Sequence, residues 1–204
     1  MKVARIIFPI KVLGPGNRVG IWLAGCPHRC KGCSNPELWD SSVVRDISPV
    51  SVIESRKKIT HNDPFGVTIT GGEPFVQYEE LCAMTKMLLE LTDDILVYTG
   101  YTFEQLKESN NGYIFDILNS IAVIIDGKYV EDKNSAQPII GSSNQKIHFL
   151  KPSFKSVYQK YILNMHGESL IQNFASNNSV ISVGIHSPNF STEFDRYMKM
   201  HGLE

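Results

Sequence analysis

The sequence predicts an α/β fold, a partial parallel β/α barrel followed by a small antiparallel extension at the C-terminal end. Two observations carry this expectation. Over about the first 150 residues, short and nearly continuous apolar runs alternate with segments of helical period, the pattern of buried parallel strands and their crossover helices. Each apolar run also stops at a glycine-rich or polar loop, which places those loops at one end of the strands.

The first run, residues 19–24, reads Val-Gly-Ile-Trp-Leu-Ala and ends at Gly25, and the second, residues 66–70, ends at Gly71-Gly72. Residues 94–98 and 121–125 supply two more, the last closed by Asp126-Gly127. Between them, Ser48-Pro49 predicts a cap and first-turn proline for a helix through about Lys58. Residues 78–91 carry Leu81, Met84, Leu88 and Leu91 at three-to-four-residue spacing, and shorter helices are expected at 102–109 and 114–120. Right-handed βαβ units then give a parallel sheet whose ligands sit at the carboxyl ends of the strands. After about Gly141 the alternation gives way to apolar stretches at 157–164, 170–175 and 180–183, the last two around an Asn177-Asn178 turn. They predict a small antiparallel addition, closed by a helix from Phe190 to about His201 with Gly202 as its stop. The expected division is a core domain over 1–150 and an extension over 151–204, hairpin and terminal helix, packed on it.

A chain of 204 residues is long enough for one domain with a substantial core. Its 20 basic and 21 acidic side chains leave a formal charge of −1, so no overall field draws it to nucleic acid or to an anionic membrane. No run approaches the roughly 18 apolar residues of a membrane span, and the start lacks the apolar core of a signal peptide, so the cytoplasm is the expected location. In that reducing compartment, three of the four cysteines fall within eight residues, a spacing that suits metal ligation and not a disulfide scaffold.

Cys26, Cys30 and Cys33 stand at C-x3-C-x2-C spacing. Three thiolates can hold three irons of a [4Fe-4S] cluster and leave the fourth iron open, whereas electron-transfer clusters normally take four cysteines. The alternative is a zinc knot that adds His28, although His28 lies only two residues from either neighbouring cysteine and no second ligand pair follows. Cys82, inside a helical segment, reads as a small buried apolar residue. His61, His148, His166, His186 and His201 form no ligand spacing. In Thr70-Gly71-Gly72-Glu73-Pro74, glycines permit close backbone approach and a carboxylate is a natural partner for an ammonium, though alone the segment is a turn after a strand.

Taken together, the triplet and the Gly71–Pro74 loop resemble the signature of radical S-adenosylmethionine enzymes. The likeness extends to the activating proteins of glycyl-radical enzymes, in particular the anaerobic ribonucleotide reductase type, through Gly14-Pro15-Gly16-Asn17-Arg18, the 26–35 loop, Tyr98-Thr99-Gly100-Tyr101, Ile125-Asp126-Gly127-Lys128 and Gly141-Ser142-Ser143-Asn144-Gln145. It covers about Gly14 to His148, and the tail beyond Leu150 departs from the shortest members. The resemblance implies that Cys26, Cys30 and Cys33 carry a [4Fe-4S] cluster. It also implies that Gly71, Gly72, Glu73, Pro74, Thr99, Asn35, Asp126 and Lys128 contact S-adenosylmethionine. A reduced flavodoxin or ferredoxin would supply an electron, methionine and a 5′-deoxyadenosyl radical would form, and a glycine of the partner glycyl-radical enzyme would lose a hydrogen atom. Asp126 and Lys128 stay open between ligand contacts and an ordinary Asp-Gly turn. Asn35 and Trp39 stay open between cluster or adenine contacts and core packing, and Tyr98 and Tyr101 between the site and tethering a loop. A small molecule or modified peptide as target, and a non-catalytic zinc-binding module, remain as other readings.

Overall fold

The computed structural model describes residues 1–60, 65–134, 137–165, 171–176, 179–187 and 190–200. In chain order these form β1 (Val3–Ile10), β2 (Arg18–Leu23), α1 (Pro49–Thr60), β3 (Gly66–Gly71), α2 (Tyr78–Leu89), β4 (Ile95–Tyr98), α3 (Phe103–Glu108) and α4 (Gly112–Ser120). They continue with β5 (Val123–Asp126), β6 (Lys146–Phe149), α5 (Lys155–Asn164), β7 (Ile171–Ser176), β8 (Ser179–Gly184) and α6 (Phe190–Met200). The expected Asn177-Asn178 turn and Gly202 stop, with His61, His166 and His201, lie outside the described residues.

A six-stranded sheet runs in the order β1-β2-β3-β4-β5-β6, and β7-β8 form a separate antiparallel pair. Strands β2 to β5 are the four anticipated apolar runs and they are mutually parallel. The edge strands β1 and β6 run antiparallel to their neighbours. Neither edge strand was expected. Pro9 lies within β1, and an edge position, with register shifts along its pairing to β2, is where a proline is tolerated. The expected helices form with their caps: Ser48 Oγ accepts from Ser51 N–H at 3.1 Å, Thr102 and Gln105 make a capping box, and Asn111 Oδ1 accepts from Tyr113 N–H at 2.9 Å.

Successive strand residues face opposite layers. Ile21 and Leu23 of β2 and Ile95 and Val97 of β4 meet Val52 of α1, Leu81 and Met84 of α2 and Ile117 of α4. On the other face, Trp22 packs with Ile10, Leu13, Leu38 and Val183, while Leu96, Val123 and Ile125 pack with Tyr158. Both faces are covered, which is why the parallel strands read as continuous apolar runs. No described helix is long and apolar enough to cross a membrane.

Residues 157–164, expected in the antiparallel addition, are helical in α5. Tyr158 is fully buried, and Tyr161 and Ile162, three and four residues on, pack against the same cluster. This helical stripe is written in aromatic and β-branched residues whose intrinsic preference is for strands, so packing overrides propensity here.

At the amino end of the parallel strands, Arg18 is fully buried. Its guanidinium donates to Thr68 Oγ1 and Val67 O, each at 2.6 Å, and to Asp94 Oδ2 at 2.6 Å. Tyr158 Oη donates to Asp94 Oδ1 at 2.6 Å, so the same carboxylate pins α5 to the sheet. Asp94→Ala would leave the arginine buried without its counter-charge and should cost about 3–5 kcal/mol. Tyr158→Phe removes one hydrogen bond to a charged group and should cost roughly 1.5–3 kcal/mol. Urea unfolding midpoints of the two variants check both values, and equal losses would contradict the network.

Candidate active site at the carboxyl ends of the parallel strands

The cysteine loop leaves β2 and returns on itself: Gly25 N–H donates to Leu38 O at 2.8 Å and Cys26 N–H to Trp39 O at 3.0 Å. Inside it, Cys33 N–H reaches Cys30 O at 3.2 Å. Arg29 (φ 46°) and Gly32 (φ 70°) adopt left-handed conformations that curl the chain and turn the three cysteines toward one cavity.

The loop after β3 lies directly against the start of the cysteine loop. Gly72 N–H donates to Leu23 O at 2.7 Å and Glu73 N–H to Gly25 O at 2.8 Å. A Cβ on Gly71 would strike the backbone of Leu23, and one on Gly72 the backbone of Gly25; Gly71 also has φ 108°. Both glycines are therefore required by close approach.

Glu73 is buried and its carboxylate accepts from three neighbours. Oε1 takes Phe75 N–H at 3.0 Å and Thr99 Oγ1–H at 2.9 Å. Oε2 takes Gly100 N–H at 2.7 Å and lies 3.1 Å from His28 Nε2. The His28 ring also packs edge-on to Tyr101, with centroids 4.7 Å apart. One carboxylate thus joins the loops after β2, β3 and β4.

Cys26, Cys30, Cys33, Asn35, Gly71, Gly72, Glu73 and Thr99 all line one cavity of about 180 Å³. Pro74, buried and outside that lining, starts a 3-10 turn over Pro74–Gln77. Asp126 is not in its wall: Oδ1 accepts from Lys146 N–H at 3.1 Å, Oδ2 accepts from Phe103 N–H at 2.7 Å, and His148 Nε2 stands 3.1 Å from Oδ2. Lys128 is exposed, outside the lining, with its charge near Cys30. Of the tyrosines, Tyr98 lines the cavity while its hydroxyl tethers Ile139 O at 2.8 Å. Cys82 is buried within α2.

The donor set fits a cluster better than a single metal ion. The three cysteines are free thiols, each partly exposed toward the cavity. Among the described residues, no three His, Cys, Asp or Glu side chains converge closely enough to hold one ion, as a tetrahedral zinc site demands. His28, the candidate fourth zinc ligand, has its Nε2 turned to Glu73. Burial pushes the Cys30 thiol up, opposed by the Tyr129 N–H. Burial likewise pushes the Cys33 thiol up, opposed by the Asn35 N–H, which lies 3.4 Å from the sulfur. The buried indole N–H of Trp39 approaches Cys33 without closing a hydrogen bond of good geometry. It is an orphaned donor beside the thiols.

A family profile described as 4Fe-4S single cluster domain matches residues 12–148. Relatives that carry the name anaerobic ribonucleoside-triphosphate reductase-activating protein include those of a vibrio, a haemophilus and a phage. That of Vibrio cholerae is 34% identical over 152 residues, 69% of this chain and 94% of its own. That of Haemophilus influenzae is 33% identical over 155 residues, 71% of this chain and 96% of its own. That of Enterobacteria phage T4 is 31% identical over 140 residues, 67% and 86% respectively. The chain belongs to this radical S-adenosylmethionine activating-protein family. The family profile also carries the 4Fe-4S cofactor as a property of the matched domain, which covers the cysteine loop and all the loops joined by Glu73.

The profile ends before α5, yet Ser182, Val183, Gly184, Ile185 and His186 of the C-terminal hairpin line the same cavity. Nothing in their local sequence marks them, because only the fold brings β8 across the sheet. His28 as a clamp was equally hidden, since its partner Glu73 is 45 residues away. Gln145, in the Gly141–Gln145 segment, joins two loops by accepting from Gly141 N–H at 2.9 Å and donating to Gly127 O at 2.8 Å.

Removing the Glu73 carboxylate should therefore weaken the protein itself, before any ligand is present. Thr99→Val deletes one hydrogen bond to it and should cost roughly 1.5–3 kcal/mol. Glu73→Ala, which strands several donors, should cost clearly more. Thermal unfolding of metal-free protein tests the order, and an unchanged midpoint for Glu73→Ala would show that the carboxylate is no structural tie.

Proposed function

We propose that the protein activates a partner glycyl-radical enzyme, an anaerobic ribonucleotide reductase, by reductive cleavage of S-adenosylmethionine. The observation that carries this reading is the meeting of the cysteine triplet and the Gly71–Glu73 loop in one cavity, joined through His28 and Glu73. Cys26, Cys30 and Cys33 are the residues to hold three irons, leaving a fourth for the amino and carboxylate groups of the ligand. When bound, the cluster would pass one electron to the sulfonium group, whose carbon–sulfur bond breaks to methionine and a 5′-deoxyadenosyl radical that takes a hydrogen atom from glycine.

The chain's own residues bind, orient and exclude water. Gly71 and Gly72 let the backbone approach the methionine ammonium, and the Glu73 carboxylate contributes its charge while its hydrogen bonds hold the loop. Thr99, at the end of β4, keeps that carboxylate oriented. Asn35 N–H faces the Cys33 sulfur, where a hydrogen bond would stabilise the reduced cluster. Leu13 and Trp22 form an apolar lining that keeps water from the reacting atoms. Asp126 serves the reading from behind the cavity, by anchoring α3 and β6 at the Gly127 loop. Lys128 offers a charge near Cys30 to an acidic reductant of the flavodoxin or ferredoxin kind.

In this reading the sheet is a partial barrel, the enzyme is a radical oxidoreductase of the cytoplasm, and its open side receives a loop of the partner. One observation favours a second reading. The C-terminal hairpin supplies one wall of the cavity, and a narrow cavity suits a small molecule or peptide as target.

Anaerobic reconstitution should load about four irons and four sulfides at one site. Replacing Cys26, Cys30 or Cys33 by Ala should abolish loading, and Cys82→Ala should keep it; one tightly held zinc with no labile sulfide would defeat the assignment. Reduced protein, S-adenosylmethionine and the partner reductase together should give a doublet electron paramagnetic resonance signal that disappears when the partner's glycine is substituted. A small metabolite that accelerates 5′-deoxyadenosine release without a partner radical would favour the second reading instead.

A further inference from the structure

The hairpin wall presents a glycine. Gly184 ends β8 with φ 139°, a conformation that side chains disfavour, and stands between Val183 and Ile185 in the wall of the cavity that holds the cysteines. The segment Ser182–His186 therefore puts a glycine with apolar neighbours where the activase reading needs a glycine of another chain.

Its attachment is by side chains. Among the described residues β8 pairs only with β7 and with no strand of the six-stranded sheet. Val183 is 2% exposed, packed with Ile10, Leu13, Trp22 and Leu38. Gln172 of β7 clasps the end of β1, accepting from Lys11 N–H at 3.0 Å and donating to Pro9 O at 2.8 Å. Asn134 Nδ2 donates to His186 O at 2.7 Å. A larger groove of about 840 Å³ leads to the same place, sharing Cys33, Ser34, Asn35, Tyr129, Ser182 and His186 with the cavity. It gives an incoming chain a route along the cysteine loop.

We infer that Ser182–His186 of this chain fills the slot over Trp22 and beside the cysteines that the activase reading gives to the partner's glycine strand, and that it yields when that strand binds. This rests on the activase reading and adds what occupies that site in the partner's absence. The relatives align over most of their own length with about two thirds of this chain, and their family profile stops at 148, so the occupant is an addition to the shared core. A site filled for most of the time lowers the apparent affinity for its true ligand by the fraction of time it is free.

Trp22 and Trp39 are the chain's two tryptophans and both line the cavity, so their emission reports on the slot without any cluster. The test uses full-length, metal-free, reduced protein titrated with a short synthetic peptide that copies the glycine loop of the partner reductase. Val183→Asp, which puts a charge into the apolar contact, should shift the emission to the red without peptide and bind the peptide roughly tenfold more tightly than the wild type. Gln172→Ala, a milder loosening that keeps the apolar contact, should tighten binding in the same direction by a smaller factor. Equal or weaker binding to both variants overturns the slot and leaves the activase reading standing. No binding to any of the three proteins overturns the slot and counts against a glycine loop as the target as well.

Discussion

The Glu73 carboxylate accepts hydrogen bonds from Phe75, Thr99 and Gly100 and faces His28, and so one buried group sets the relative position of the loops after β2, β3 and β4. These are the loops that a ligand bound at the strand ends must touch. A buried carboxylate is tolerated because its oxygens are met by donors, and the same requirement holds the donors in place. The glycines beside it follow from the same constraint. With Gly71 and Gly72 pressed against the backbone of Leu23 and Gly25, no side chain could stand at either position without moving the cysteine loop. The spacing between cysteines and acidic loop is thus a consequence of backbone contact and one carboxylate, and the ligand arrives at a frame already built.

The opposite end of the sheet solves a related problem with a cation. Arg18 is buried among Thr68, Val67 and Asp94, and the Asp94 carboxylate in turn receives Tyr158 from α5. Burial lowers the guanidinium's proton affinity and the neighbouring acidic groups more than restore it. The parallel strands are therefore tied at both ends by polar groups, with apolar layers between them. The two ends meet at one point: Thr68 Oγ1, which accepts from Arg18, donates to the carbonyl of the cavity residue Leu13 at 2.9 Å.

Most of the parallel sheet was legible because its signal is local. Residues 19–24, 66–70, 94–98 and 121–125 are each apolar on both faces and each stops at a turn, and the helices between them announce their caps. The cysteine triplet and the Gly71–Pro74 loop were legible for the same reason, whereas Asn35 and Thr99, which line the same cavity, were suggested only by the family resemblance. What stayed hidden depends on contacts between distant parts of the chain. The edge strands β1 and β6 carry a proline or a short mixed run and acquire strand geometry from a single neighbour. Helix α5 is written in residues that prefer strands, and only the burial of Tyr158 against Leu96 and Val123 decides the matter. Asp126 could be recognised as the end of a strand but not as a hydrogen-bond acceptor for Phe103 and Lys146, because those partners lie 23 and 20 residues away.

The extension shows why a shared core need not give a shared mouth. The family profile accounts for residues 12–148, and that span carries Cys26, Cys30 and Cys33, the acidic loop and the Phe75, Thr99, Gly100 and His28 contacts of Glu73. A chemistry that makes an exposed radical needs water kept away, and a partner's loop can supply that cover only while it is bound. In the proposed reading, Ser182–His186 of the same chain would cover the site at all other times, at an effective concentration no free partner matches. The cover must then be weak enough to yield. Strand pairing to the six-stranded sheet would make it permanent, whereas Val183, Gln172 and the Asn134 contact to His186 hold it by a few side chains. The absence of a β8 partner in the main sheet, among the described residues, is therefore the feature that reconciles a closed cavity with a target outside the chain.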